Sequence, residues 1–204
     1  MNEGHLFIIS APSGAGKTSL VKALTTEMDA IFTSVSHTTR PMRPGEVDTK
    51  DYYFVDTKTF LSMRDNNEFL EYAEVFGNYY GTSQRCIKSQ LGNDTDVILE
   101  IDWQGAQQVK KIFPEATSIF ILPPSKSELL NRLRNRAQDS EDVISRRTLE
   151  AISEMAHYQE FDFLIINDIF ATALEELRSI VITQRLVTSV QKSRFKPLID
   201  ELLE

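Results

Sequence analysis

Residues Ser10–Leu20 read S-A-P-S-G-A-G-K-T-S-L and follow directly on the apolar run Leu6-Phe7-Ile8-Ile9. A short apolar run predicts a buried strand, and the spacing of Leu20, Val21 and Leu24 predicts a helix from about Lys17 to Met28. A strand, a glycine-bearing turn and a helix opening on Lys-Thr make a phosphate-binding loop. Backbone N–H groups line such a turn, and the positive end of the helix points into it. Lys17 then reaches the β- and γ-phosphates of a nucleotide and the Thr18 hydroxyl ligates Mg²⁺, while Ala11, Pro12, Ser13, Gly14, Ala15 and Gly16 wrap the phosphates. The pattern G-x-x-x-x-G-K-[ST] is met with one departure, Ala11 in place of the first glycine. With alanine admitted there, background composition gives a chance match in about one in a hundred chains of this length. A plain strand–turn–helix is the weaker alternative.

The remaining chain must supply a core and whatever faces this loop. Its 204 residues, 41% hydrophobic and 25% charged, suit one globular domain with room for an insertion. The lone cysteine, Cys86, forms no internal disulfide framework and fits a reducing cytoplasm; with no histidine beside it, it reads as a packing or half-exposed thiol. No apolar run approaches the eighteen or so residues of a membrane span, and Met1-Asn2-Glu3-Gly4 does not read as a signal peptide, so a cytoplasmic location is expected. A net charge of −8 argues against general nucleic-acid binding, so an anionic ligand must be met by local clusters of Arg and Lys.

Two such clusters are present. Ser36–Glu46 carries Arg40 and Arg43 among hydroxyls, two prolines and a glycine, which is an ordered loop with either an anion clamp or a solvated turn. Five of the chain's twelve arginines (132, 134, 136, 146 and 147) fall within sixteen residues, denser than a helix surface needs, and suit a segment closing over a polyphosphate. Strands are expected at 31–35, 52–55, 69–75, 96–102, 118–122 and 163–166. Helices are expected over 58–64, from Ser83 to Gly92, over 104–113, after a Ser125 or Ser127 cap and onward through Tyr158, and over 173–187. Five of six tyrosines (52, 53, 72, 79 and 80) lie in a region of short mixed strands, suggesting an inserted subdomain. Glu100 and Asp102, two apart at a strand end, share a face in this reading and hold Mg²⁺ through water or accept bonds from a base, a surface pair being the alternative. Strands near 6, 32, 97, 118 and 163 alternating with helices predict an α/β fold with a doubly wound parallel sheet.

Taken together, S-A-P-S-G-A-G-K-T at 10–18, S-x-S-H-T-T-R-x-x-R-x-G-E at 34–46, K-D-Y-x-F at 50–54, E-F-L-E at 68–71, G-N-Y-Y-G-T at 77–82, I-L-E-I-D-x-Q-G at 98–105, P-P-S at 123–125, R-L-x-x-R at 132–136 and I-N-D at 166–168 resemble the guanylate kinase family, in order, over about residues 4–185. Bacterial members with alanine at the first loop position are similar to the sequence here. The resemblance implies a P-loop NTPase core (4–34, 86–131 and 149–185), a GMP-binding insertion (35–85), an arginine-rich lid (132–148) and a C-terminal tail (186–204). It implies a nucleoside monophosphate kinase that moves a phosphoryl group from ATP, with Mg²⁺, to GMP, and to dGMP as well, giving ADP and GDP within purine nucleotide metabolism. Ser36, Glu71 and Thr82 fall where the family contacts guanine; Arg40, Arg43, Tyr52 and Tyr80 fall where it holds the GMP phosphate. Asp102 and Glu100 match acidic GMP-side positions, although some members carry Asp at the latter. Lys17, Arg132, Arg136 and Arg147 match the groups around the transferring phosphoryl, and Asn167 lies toward adenine. GMP and ATP are the implied partners, without nucleic acid or membrane; self-association into a homo-oligomer is left open. A kinase of another acceptor and a non-catalytic scaffolding domain are the rivals, and the intact Gly16-Lys17-Thr18 disfavours the second. His5, His37, His157 and Trp103 read as packing residues.

Overall fold

The computed structural model describes residues 4–75, 77–136, 148–149 and 151–204. Its main sheet has five parallel strands: β1 (Leu6–Ser10), β2 (Ile31–Thr33), β7 (Asp96–Glu100), β8 (Thr117–Leu122) and β9 (Phe163–Ile166), in spatial order β2-β7-β1-β8-β9. The apolar run of β1 is continuous because both its faces are covered. Phe7 and Ile9 pack with Leu20, Val21 and Leu24 of α1 (Lys17–Glu27) and with Ala173, Leu177 and Val181 of α7 (Phe170–Arg185). Leu6 and Ile8 turn the other way, toward Ile87 and Leu91 of α3 (Gln84–Leu91) and Ala106 and Val109 of α4 (Trp103–Ile112). Arg185 at the end of α7 reaches across to β7, its Nε 2.7 Å from Asp96 Oδ2.

A second sheet, in order β4-β3-β6-β5, is built from β3 (His37–Thr38), β4 (Tyr53–Phe54), β5 (Phe69–Val75) and β6 (Asn78–Ser83). Helix α2 (Thr57–Asp65) packs beneath it, Phe60 stacking on Phe69 at 4.6 Å and on Tyr79 at 5.5 Å between ring centroids. Asp56 caps that helix by accepting from the Thr59 N–H at 2.6 Å. The β5–β6 ladder is irregular. Phe69 pairs with Ser83, but Glu71 pairs with Thr82, so Leu70 is an extra residue on one strand. A regular ladder would set Glu71 against Gly81; the bulge sets it against Thr82 instead.

Element positions differ from the sequence reading in a few places. Asp102 is not part of β7, which stops at Glu100; it is the N-cap of α4. The same-face argument for Glu100 and Asp102 therefore does not apply, and a chain turn orients them separately. Gly92 ends α3 with φ −65°, a right-handed conformation, so its freedom to adopt positive φ is not used. Helix α5 (Lys126–Arg136) starts behind Ser125, whose Oγ accepts from the Glu128 N–H at 3.1 Å. Helix α6, described over 148–149 and 151–155, gives way to a 3-10 turn at Ala156–Glu160 instead of running through Tyr158. Helix α7 begins at Phe170 and not at Ala173; its first three residues are exposed and leave no apolar period to read. At β9 only Ile165 is buried; Phe163, Leu164 and Ile166 are exposed on the outermost strand, so an all-apolar run here is not a fully covered one. Two tail helices, α8 (Thr188–Arg194) and α9 (Lys196–Leu203), bury no residue.

Candidate active site

The register of the main sheet (Ile9 against Glu100, Ser10 against Phe120) brings the C-terminal ends of β1, β7 and β8 level with one another. The crevice beyond these ends is where a parallel α/β sheet offers a ligand site. A cavity of about 380 Å³ opens there, and the second sheet closes its far side.

The loop from Ala11 to Gly16 forms one wall. Gly14 and Gly16 have φ of 89° and 94°, a left-handed conformation that side-chain-bearing residues seldom adopt. Ala11 is not among the residues with positive φ, so the loop makes no conformational demand for glycine at the position where the sequence departs from the pattern. Ala11, Pro12, Ser13, Gly14, Gly16, Lys17 and Thr18 line the cavity. Ala15 does not; its side chain is buried in the core under β1, and its carbonyl oxygen faces away toward Asn167. Asn167 is 4% exposed and donates from Nδ2 to that carbonyl at 2.7 Å, so it stands behind the loop as a brace. Arg132 leans on the same structure, with NH1 3.4 Å from the Ala15 carbonyl and NH2 3.2 Å from that of Asn167. The Nε of Arg132 pairs with Glu128 at 2.8 Å.

The floor is the end of β7. Lys17 Nζ donates to the Ile101 carbonyl at 3.2 Å, and Ser10 Oγ to the same oxygen at 2.7 Å. Thr18 Oγ1 donates to Glu100 Oε2 at 3.0 Å, which places Glu100 at the loop's phosphate end. Asp102 Oδ1 accepts the Gly105 N–H at 2.9 Å and its Oδ2 accepts from Gln104 at 3.1 Å. Asp102 and Glu100 both line the cavity.

The second sheet supplies the opposite wall. Glu71 is 3% exposed, and Thr82 Oγ1 donates to its Oε1 at 2.5 Å; Ser36 Oγ lies 3.0 Å from Thr82 Oγ1, so the bulge assembles a hydroxyl–hydroxyl–carboxyl chain. Burial, against the Thr82 hydrogen bond and with help from nearby Asp102, pushes the Glu71 carboxyl up to about 7. Thr82 supports Glu71 from behind and is not itself on the cavity surface. Arg40 is held bidentately by Glu46 at 2.7 and 3.0 Å, with its guanidinium 5.3 Å from the centroid of the Tyr52 ring. Burial, first, and the neighbouring Tyr80 and Glu100 push the Tyr52 phenol up to about 12, so it remains a hydrogen-bond donor across the physiological range. Arg43, Tyr52 and Tyr80 line the cavity beside Arg40.

Arg147 and the side chain of Arg136 lie outside the described residues. Glu154 of α6 lines the cavity and was not anticipated, since nothing in its sequence neighbourhood distinguishes it from a surface glutamate. Glu46 stands in the sequence as one residue of a motif, and its hold on Arg40 needs the folded loop. The three histidines pack: His5 Nε2 lies 2.8 Å from Thr117 Oγ1, His37 stacks on Tyr53 at 4.8 Å, and His157 stacks on Trp103 at 3.6 Å. Burial holds His37 below its usual pKa, which suits a neutral packing ring. Cys86 is exposed.

The chain's likenesses to known proteins agree with this geometry. Residues 3–184 match the family model described as guanylate kinase. The chain is 56% identical over 203 residues to the guanylate kinase of Methylococcus capsulatus, covering 100% of both. It is 58% identical over 200 residues to that of Pseudomonas fluorescens, covering 98% of this chain and 97% of the relative. The crystal structure of guanylate kinase from Anaplasma phagocytophilum superposes with a TM-score of 0.78 at 31% identity, covering 95% of this chain and 96% of that one. By model match over most of its length and by full-length identity above half, the chain belongs to the guanylate kinase family.

Proposed function

We propose that the cavity is a two-nucleotide site in which the loop Ala11–Thr18 holds ATP and the second sheet holds GMP, with the γ-phosphoryl group passing between them to give ADP and GDP. The observation that carries this reading is Glu71, a buried carboxyl fixed by Thr82 and facing the same cavity as the phosphate loop. As a carboxylate it accepts two hydrogen bonds from the N1–H and 2-amino edge of guanine, which adenine does not offer. Ser36 completes the base pocket while Thr82 holds Glu71 from behind, and Arg40, Arg43, Tyr52 and Tyr80 take the GMP phosphate, the two arginines by charge and the phenols by donation. A GMP phosphate oxygen then attacks the γ-phosphorus of ATP, and the bond to the β,γ-bridging oxygen breaks. Lys17 and Arg132 neutralise charge on the transferring group, joined in this reading by Arg136 and Arg147 of the 132–148 lid. No general base is required for phosphoryl transfer of this kind. Asp102 borders the GMP side, Glu100 stands between that side and Thr18, and Asn167 keeps the loop in place from behind.

For Mg²⁺ the residues fit: a threonine hydroxyl and one carboxylate, 3.0 Å apart at the phosphate end, are the sparse oxygen set this ion takes when phosphates and water fill its other positions. Thr18 and Glu100 would hold it, and it would supply positive charge that offsets the phosphates. No helix among the described residues is long and apolar enough to cross a membrane. We place the protein in the cytoplasm and leave self-association open.

The decisive experiment follows ADP release with ATP and Mg²⁺, with GMP, AMP or dTMP as acceptor or with none. Turnover should be fast with GMP, slow with AMP and dTMP, and near zero without acceptor. Equal rates on AMP would remove the guanine assignment, and no ADP release with any acceptor would favour a binding domain.

The Glu71 pKa gives a further expectation. Binding needs the carboxylate, so below about pH 7 a proton must leave first, and the KM for GMP should rise roughly tenfold per unit as pH falls from 7 to 5. The same shift makes the unliganded fold lose a stabilising contribution as pH rises from about 4.5 to 7, since the folded pKa lies above the unfolded one. Glu71→Gln should flatten the KM profile, leaving only the titration of the GMP phosphate itself. An unchanged profile in that variant would show that Glu71 is not the titrating group.

A further inference from the structure

We infer that Gly105 is a specificity-determining residue for the acceptor base, acting through the position of Glu71. The inference rests on the guanine reading of Glu71 given above. Gly105 lies in the first turn of α4, with its N–H committed to Asp102 Oδ1 at 2.9 Å. Its backbone is helical, so nothing in its conformation calls for glycine. What calls for glycine is the space beside it. A Cβ built on Gly105 would lie 2.5 Å from Glu71 Oε2, 3.2 Å from Glu71 Cδ and 3.3 Å from Asp102 Oδ1.

A carboxylate at the end of a flexible side chain normally yields to such a methyl at little cost. Glu71 is not free in that way. Its other oxygen is bound by Thr82 at 2.5 Å, Thr82 is in turn 3.0 Å from Ser36, and the residue is 3% exposed, open only toward the cavity. A displaced carboxylate keeps the fold but loses the alignment of both oxygens with the base edge. The absent side chain at 105 is thus the clearance that lets a strand carboxylate stand against a helix N-terminus. Alanine in a helix is favoured over glycine, which offsets the cost of moving Glu71, so Gly105→Ala should keep the melting temperature near that of the parent protein while acceptor recognition falls.

The test compares Gly105→Ala, Glu71→Ala and the double variant, measuring KM for GMP and for ATP, the GMP:IMP ratio of kcat/KM, and the melting temperature. IMP keeps the N1–H and lacks the 2-amino group. Gly105→Ala should raise the KM for GMP about 10–100-fold, the size expected for misaligned charge-assisted hydrogen bonds, with the KM for ATP unchanged and the GMP:IMP ratio collapsed. In the Glu71→Ala background the added methyl meets no carboxylate, so the Gly105 effect should vanish, and Glu71→Asp should partly rescue Gly105→Ala. A normal KM for GMP in Gly105→Ala, alongside a raised one in Glu71→Ala, overturns the inference and spares the guanine reading. A normal KM for GMP in Glu71→Ala overturns that reading and the inference with it. A fall in melting temperature in Gly105→Ala that persists in the double variant shows that the methyl strikes something other than Glu71, and also overturns the inference.

Discussion

Lys17→Ala should lower kcat/KM for phosphoryl transfer by about 10²–10³-fold, mostly in kcat, while the circular dichroism spectrum and melting temperature stay close to those of the parent protein. The magnitude follows from removing one preorganised cationic donor from a transition state whose catalysis is mainly electrostatic, for which single donors carry about 2.7–4 kcal/mol. Geometry argues that the lysine is preorganised. Its Nζ already rests 3.2 Å from the Ile101 carbonyl, the same oxygen that Ser10 holds from the strand below, so the ammonium is aimed before any nucleotide arrives. The fold loses little because Lys17 opens α1 at the cavity surface and does not pack in the core. Lys17→Arg should not restore activity, since the planar guanidinium presents its donors differently from a compact ammonium. Steady-state rates at saturating GMP with varied ATP would decide the matter. A variant that changed only the KM for ATP would show that Lys17 contributes binding that is equal in ground and transition states.

Gly16→Ala is the second large effect, and it works through the backbone. Gly16 holds φ at 94°, which costs an L-residue about 1–2 kcal/mol. Its new Cβ would also collide with the Nδ2 of Asn167, and Asn167 cannot retreat without giving up its 2.7 Å bond to the Ala15 carbonyl. The loop must shift, and a misplacement of about 1 Å at a reacting centre costs on the order of 10²-fold in rate. We expect activity to fall by about 10²–10³-fold together with a measurable drop in melting temperature. Gly45→Ala is the informative comparison. It has φ of 87° but nothing within 4 Å of a built Cβ, so it should show the conformational penalty alone, with kcat nearly intact. Asn167→Ala combined with Gly16→Ala removes the collision and keeps the φ penalty, and should recover part of the rate. Full activity in Gly16→Ala would mean that the loop has more freedom than its bracing implies.

The main sheet was legible in the sequence because its strands are short apolar runs separated by strong helix signals, and β1 with its loop was the clearest of these. Legibility stopped where a contact joins residues remote in the chain. The resemblance sets Asn167 toward adenine and does not show it as a brace of the loop, since its partner is a backbone carbonyl 152 positions away. Glu100 and Asp102 were paired by strand alternation, yet the strand ends at the first and the second caps a helix, so alternation had nothing to act on. The edge strand β9 looked as buried as β1 because composition does not reveal position in a sheet. Glu154 reaches the cavity from a helix whose path the sequence does not specify. The clearance at Gly105 is the extreme case, because the informative feature is an atom that is not there.

The extra residue at Leu70 has a consequence for how base choice is encoded. It divides β5 into two segments of different strand phase: Phe69 keeps its place against α2, while Glu71 onward is phased from the β5–β6 turn. Point substitutions alter side chains within a phase and cannot exchange one phase for another. A single insertion or deletion can, but only between Glu71 and the β5–β6 turn; at Leu70 itself a deletion leaves Phe69 opposite Ser83 and Glu71 opposite Thr82. Removing the extra residue should therefore keep the base-facing carboxyl against Thr82, whereas a deletion between Glu71 and Asn78 should set another side chain there.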